Sequence, residues 1–301
     1  MKKILFFLSF FLFGSLLFAQ QEPLIKFYLN NDSVKTINLD EIDNINIIKS
    51  QSNNVMKIFY RDSLTAYYPS QIIDNIKFEK DSLNKKILNV YISIYPKTYY
   101  LNEIDSILFA IDEYLPLTIG TQVWMLKNLD VDHYRNGEPI PQVTDNNKWI
   151  NLTTGAWCWY NNDSAIVSEF GKLYNWFAVN DSRGLAPDGW HIPSLNDWKT
   201  LYIYLGGEYI AGGKLKLTGT TYWISPNTGA TNESGFSALP GGSRSGISGE
   251  FVAIEEYSFW WNSNEKNDTN SWYSFLTTTY ASLSRVWSQK TYGYSVRCIK
   301  D

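Results

Sequence analysis

The stretch GWHIPSLNDW, residues 189–198, decides how the C-terminal half of this chain is read. Ser194 and Asp197 form a Ser-x-x-acid start. The hydroxyl can accept a backbone N–H three residues on, and the carboxylate lies at the positive end of the helix dipole. Beyond them Trp198, Leu201, Tyr202 and Leu205 recur at i, i+3, i+4 and i+7, so LNDWKTLYIYLG is expected to be a helix. Pro193 and Trp198 stand where a hydrophobic staple would put them. His191 therefore precedes a helix. The chain has only two histidines, and with His133 as the other, no two-histidine metal site or relay is expected.

Working outward, EFGKLYNWFAV (169–179) places Phe170, Leu173, Tyr174 and Phe177 at helical spacing, which predicts a second helix. The rest of the C-terminal part reads as short strands and long polar loops, with turn signals such as SPNTG and LPGG. Pro116, inside IDEYLPLTIGTQVWM (111–125), marks where this pattern begins.

Ahead of Pro116 lies an internal repeat. LDEIDNINI (39–47), SQIIDNIKF (70–78) and LNEIDSILF (101–109) align without gaps, so Asp43, Asp74 and Asp105 are equally spaced. Ile42, Ile73 and Ile104 precede them, and Ile45, Ile76 and Ile107 follow. An alternating apolar run comes before each: IKFYL, MKIFY and ILNVYI. Each unit reads as two strands joined by a turn, and three copies at a fixed period predict stacked units sharing one core. The recurring Asp fits a tight turn better than a catalytic or metal role.

The first residues, MKKILFFLSFFLFGSLLFAQQEP, have a basic start, an apolar run from Ile4 to Phe18 and a small Ala19. This is the pattern of a cleavable signal peptide over 1–19. The apolar run is about 15 residues, short of the roughly 20 that span a bilayer, and no later stretch is apolar enough to cross. No Cys follows it, so the chain is not read as a lipoprotein. Export to the periplasm, the envelope or the medium is expected. A net charge of −4 with no basic stripe excludes a nucleic-acid partner on electrostatic grounds. Cys158 and Cys298 are the two cysteines. In an exported chain they permit one disulfide, with two separate buried thiols as the alternative.

The segments GKLYNWFAV, GLAPDGWHIPSLNDWKTL, AGGKLKLTGTTYW, SPNTGATNESGFSALPGGSR, FWWNSNE and GYSVRCIKD occur in an order that resembles the Fibrobacter succinogenes major paralogous domain, common in exported proteins of Bacteroidota. The resemblance covers 117–301. More distantly, the helix start and the ending are similar to the C-type-lectin-like fold and its sulfatase-modifying (formylglycine-generating) branch. The resemblance implies an α+β protein: an all-β three-repeat module over 22–112, then a lectin-like domain with two helices, a small twisted sheet and long loops, its chain ends together. In many lectin-like domains a bridge joins the early helical region to the last strand, a position analogous to Cys158 and Cys298.

The chemistry of that branch does not carry over. Formylglycine-generating enzymes need a close cysteine pair for copper, and RVWSQKTYGYSV offers none before Cys298. Glu250, Glu255, Glu256 and Glu265 show no pattern of facing carboxylates, and no nucleophile elbow, P-loop or dinucleotide fingerprint is present. No catalytic residue is assigned. Calcium-dependent sugar binding is what a lectin-like fold raises, and WWNSNEKNDTN (260–270) carries its candidate oxygens: Asn262, Asn264, Glu265, Asn267 and Asp268. A polar surface loop is the alternative. Clustered aromatics beside amides suit sugar rings, so Trp260, Trp261, Asn262, Glu265, Trp272, Tyr273 and Arg244 form the expected ligand surface. Asp-Ser followed by a small or apolar residue recurs at Ser33, Ser63, Ser82, Ser106 and Ser164, similar to an O-glycosylation acceptor. The expectation is an exported, non-enzymatic binding or adhesion protein for polysaccharide, surface glycan or a surface protein. A glycan-active enzyme and a purely structural envelope protein are the alternatives.

Overall fold

The computed structural model describes residues 114–163 and 170–301 throughout, and in the first 113 residues the backbone of the strands. The chain divides into two compact units, Met1–Thr118 and Ile119–Asp301.

The first unit is built of strands. β1 (Lys2–Phe6) and β2 (Phe13–Leu17) fall in the stretch read as a signal peptide. The repeats follow as β3 (Leu24–Tyr28), β4 (Val34–Asn38) and β5 (Ile42–Ile47), then β6 (Asn54–Tyr60), β7 (Thr65–Pro69) and β8 (Ile73–Lys80), then β9 (Lys86–Ile92), β10 (Tyr95–Tyr100) and β11 (Ile104–Ile111). Among the described residues each repeat thus holds three strands, where two are expected. The extra ones, β4, β7 and β10, are rich in Val, Thr and Tyr. Such residues favour extended backbone even where a strand is too polar to show alternation. They pair antiparallel with the strand before them. Asp74 and Asp105 lie inside strands, where the register slips between Ile73 and Asn75 and between Ile104 and Ser106. Asp74 and Asp105 therefore sit at a register shift within a strand and not in a tight turn. Ser33, Ser63, Ser82 and Ser164 lie outside the described residues, and of Ser106 only its place in β11 is described.

The second unit is α+β. β12 (Pro116–Ile119), β13 (Gln122–Met125), β22 (Ile299–Lys300) and β16 (Trp190–His191) form one sheet in that spatial order, which brings the last strand beside the second. Smaller sheets pair β14 (Trp157–Cys158) with β15 (Leu173–Tyr174) and β17 (Gly241–Arg244) with β18 (Phe251–Ile254). A three-stranded meander runs β19 (Tyr257–Glu265), β20 (Asn270–Thr277) and β21 (Ser284–Gln289). Among the described residues the complete α-helices are α1 (Asn146–Ile150), α2 (Trp176–Val179), α3 (Leu195–Tyr204) and α4 (Glu208–Leu215). Among the described residues no helix is long and apolar enough to cross a membrane.

α3 starts as the sequence requires. Ser194 Oγ accepts from Asp197 N at 3.2 Å, and the Asp197 carboxylate accepts from Ser194 N at 2.8 Å, a complete capping box. The helix expected over 169–179 does not form. Gly171 adopts φ +75°, and a Cβ there would stand 2.9 Å from both Asn128 Cβ and the Leu129 carbonyl. The chain turns there, Leu173 and Tyr174 enter β15, and one helical turn starts only at Trp176, capped by Asn175 Oδ1 on Ala178 N at 3.1 Å. Helix α4 was masked in the sequence by its glycine pair. Gly213 is required by contact, since a Cβ would lie 2.2 Å from the Gly229 carbonyl.

The segment Gly293–Lys300 joins these pieces. Gly293 exchanges backbone hydrogen bonds with Arg244, and Tyr294 with Tyr174. The carbonyls of Ser295, Val296 and Cys298 accept from Trp261, Leu129 and Met125, and Ile299 pairs with Trp124 and His191. Arg297 is buried in this segment. Its Nε donates to Asn128 Oδ1 at 3.0 Å, and its Nη1 to the Phe236 carbonyl at 2.6 Å. Its guanidinium lies 4.1 Å from the Phe236 ring centroid. Asn128 Oδ1 also accepts Trp260 Nε1 at 2.8 Å. Around this node Trp124, Trp198, Phe236 and Trp260 pack with centroids 4.9–6.2 Å apart.

The bridge between Cys158 and Cys298 is not formed; both are buried free thiols. Cys158 packs with Trp149, Ala156, Tyr160 and Leu173, whereas Cys298 belongs to the C-terminal segment whose carbonyl binds Met125. Burial pushes the Cys158 thiol up to about 12 and raises that of Cys298 as well.

Two outcomes are expected. Asn128→Ala orphans two buried donors, one of them charged. At about 1–3 kcal/mol per orphan, urea unfolding should show a loss of about 3 kcal/mol, with Asn128→Asp losing less because it keeps an acceptor. Iodoacetamide should label neither cysteine in the native protein and both after unfolding without reductant, counted by mass spectrometry.

Candidate functional site

β19 carries two adjacent tryptophans that an alternating strand must send to opposite faces. Both faces are covered here. Trp260 packs under α3, 5.6 Å from Trp198, and Trp261 lies 4.6 Å from Tyr294 on the other side. Each is 0% exposed, and the Trp261 Nε1 donates inward to the Tyr174 carbonyl at 2.8 Å. Neither ring can stack on a ligand, so the expected Trp260–Trp261 surface is corrected to core. Asn262 is also fully buried. Its Oδ1 accepts from Ser274 and its carbonyl from Trp176 Nε1.

Arg244 is likewise corrected. It is fully buried, donating to the carbonyls of Gly249 (2.9 Å), Val143 (2.6 Å) and Thr144 (2.8 Å) and to Asn146 Oδ1 (2.9 Å). The Trp149 ring lies 4.5 Å away. All its chemistry is spent holding loops. Glu265 is ion-paired with Lys290, whose ammonium also lies 4.8 Å from the Trp176 ring centroid.

The candidate calcium oxygens are dispersed. Asn264 Oδ1 accepts from Leu195 N at 2.6 Å, while Asn267 Oδ1 accepts from Thr269 and Asn270 in the β19–β20 turn. Among the described residues no cluster of three His, Cys, Asp or Glu side chains could hold a metal. Glu250 accepts from Asn146 Nδ2 at 2.9 Å, and Glu255 and Glu256 lie in the turn before β19. His191 sits at the surface with Nδ1 2.7 Å from Asp301 Oδ1 and Nε2 3.7 Å from Asp197 Oδ2, a structural place beside the helix cap.

The remaining two expected residues, Trp272 and Tyr273, are half-buried and diverge. Tyr273 faces Trp261 across the strands and joins the rings of Phe259, Phe275 and Tyr294, with centroids 4.6–5.8 Å from its own. Burial raises its phenol pKa. Trp272 lies on the opposite face, directly across from Trp287, which is 49% exposed.

On that face the sheet and α3 leave an open cleft of about 450 Å³, lined by Leu195, Asn196, Lys199, Trp272 and Arg285. The helix supplies three of these residues because Lys199 neighbours Leu195 at i, i+4 and Asn196 at i, i+3. Arg285 is held on its far side by Glu208 (Nη2 to Oε2, 2.8 Å) and by the Tyr202 ring 4.6 Å away. Lys266 reaches from the hairpin turn to 5.3 Å from the Trp272 ring centroid. The cleft thus combines an indole, an amide and cations, and its lining contains no carboxylate. Asn196, Lys199 and Arg285 were not singled out in the sequence. The helical spacing of Leu195, Asn196 and Lys199 was visible, but their meeting with Trp272 depends on how α3 crosses the sheet.

No curated protein and no solved structure matches the chain. Residues 117–300 match the Fibrobacter succinogenes major domain, the span in which the helix cap, the C-terminal segment and the cleft all lie. With more than half of its length inside that match, the chain belongs to the Fibrobacter succinogenes major domain family.

Proposed function

We propose that this is an exported, non-enzymatic binding protein that recognises a glycan in the Trp272 cleft. The observation that carries the reading is a half-buried indole forming one wall of an open cleft, with an exposed amide, Asn196, and exposed Lys199 on the helix opposite. A sugar ring offers apolar C–H faces to an indole and hydroxyls to amides and ammonium groups. The lining has no carboxylate to act as acid or nucleophile, which favours binding over glycoside hydrolysis. The lectin-like reading of the fold draws support from the last strand returning beside β13. Calcium has no part in this site, because the cleft offers cations where calcium needs carboxylates.

A protein partner is the second reading, favoured by one observation. Ile203, Tyr204, Tyr209 and Ile210, at the junction of α3 and α4, are all exposed, Tyr209 by 80%. A grouped apolar surface of this kind is a common mark of protein contact.

The test is glycan-array binding followed by titration calorimetry on the best hit, comparing the wild type with Trp272→Ala and Trp272→Phe. Loss of a stacking indole costs about 2 kcal/mol, roughly thirtyfold in affinity. Trp272→Ala should show that loss and Trp272→Phe a smaller one. An array hit unaffected by Trp272→Ala would reject the cleft, and no hit at all would turn attention to the Tyr209 surface.

A further inference from the structure

The charges around the cleft are distributed in a way that narrows its ligand. The chain is acidic, with a net charge of −4, yet the lining of this cleft carries only cations. Each carboxylate in the surrounding elements that an ion pair or a cap engages is engaged away from the cleft lysines. Asp197 closes the α3 capping box, Glu208 binds Arg285, and Glu265 pairs with Lys290. Among the described residues no ion pair engages exposed Lys199 or exposed Lys266. Arg285 spends Nη2 on Glu208, but its Nε has no hydrogen-bond partner.

Two unpaired ammonium groups therefore flank one indole, Lys199 across the cleft and Lys266 near the ring. Behind them stands the Arg285 guanidinium, already paired with Glu208. The two lysines, which have no carboxylate partner, repel each other, and an anion relieves that repulsion on binding. A neutral sugar would satisfy the indole and the amide but leave the cations to water.

We infer that the Trp272 cleft takes an anionic sugar residue, one bearing a carboxylate or a sulfate ester, with the ring against Trp272 and the acid group between Lys199 and Lys266. This rests on the glycan reading of the cleft given above. Electrostatic attraction of exposed groups weakens as the Debye length shrinks, so such binding is salt-sensitive while ring stacking is less so.

The experiment is titration calorimetry of the full chain with polygalacturonate, with the same polymer fully methyl-esterified, and with a sulfated galactan, each at low and at high sodium chloride. The proteins are wild type, Lys199→Gln/Lys266→Gln and Trp272→Ala. Both lysines are exposed, so the double variant should keep its thermal midpoint. The expected result is that one or both acidic polymers bind about tenfold or more tighter than the ester. That ratio should collapse towards one in the double lysine variant and shrink with salt, and Trp272→Ala should weaken the acidic polymer too. Preference for the sulfated polymer alone keeps the inference and identifies the sulfate ester as the acid group. Equal binding of acid and ester, lost in Trp272→Ala, overturns the inference while the glycan reading stands. Acid binding that ignores Trp272→Ala overturns both, because the charge then acts without the ring. Binding of none of the three polymers overturns the anionic inference; a Trp272-dependent array hit on another, neutral glycan would leave the broader reading in place.

Discussion

A buried backbone polar group must find a partner, and this domain has little sheet or helix in which to find one. The segment Gly293–Lys300 is the main answer to that constraint. Its successive peptides bond to residues from four separate stretches of chain: Arg244, Tyr174, Trp261, and Leu129 with Met125. The arrangement is a hub, with loops from across the sequence fastened to one extended strand. Arg297 and Asn128 complete it from the side-chain direction, joining that strand to Trp260 of β19 and to the Phe236 carbonyl. The position of α3 over the meander, and so the existence of the cleft, depends on this fastening through Trp198 and Trp260.

The same constraint explains the composition. Long loops carry carbonyls that no ladder satisfies, and donors on large side chains reach them. Arg244 serves three loop carbonyls, and Lys216 gives its three protons to those of Thr228, Thr277 and Tyr280. Several tryptophans do the same while filling volume: Trp157 on Ile140, Trp176 on Asn262, Trp223 on Ala238 and Trp261 on Tyr174. An indole buries a large apolar area and brings one donor with it. The buried cations are covered by rings, as Arg244 is by Trp149 and Phe251. The guanidinium of Arg297 stays charged in such a place because its basicity exceeds what burial can remove.

For function, the consequence is a division of labour among similar residues. Most of the tryptophans that make the chain look like a sugar-binding protein hold it together instead. Trp272 differs because β20 turns it to the side where α3 stops short of covering the sheet. Lys199 and Lys266 differ from Arg244, Arg297 and Lys216 in the same way: they are left facing water instead of loop carbonyls.

What the sequence determined alone was local. The Ser194–Asp197 cap and the helix after it were legible because a capping box is closed within four residues. The family was legible because its motifs are strictly ordered along the chain. Helix 169–179 was misread because Gly171 answers to Asn128 and Leu129, more than forty residues away, and α4 was missed because its glycines answer to Gly229 and Ser282. The disulfide and the Trp260–Trp261 platform failed for the same reason. Whether two cysteines meet, or which of two neighbouring tryptophans is covered, is decided by what packs on each face of a strand. Only the tertiary structure covers Trp260 and leaves Trp272 half-buried at an open cleft, because only there do the helix, the meander and the C-terminal segment settle which side of the sheet remains open.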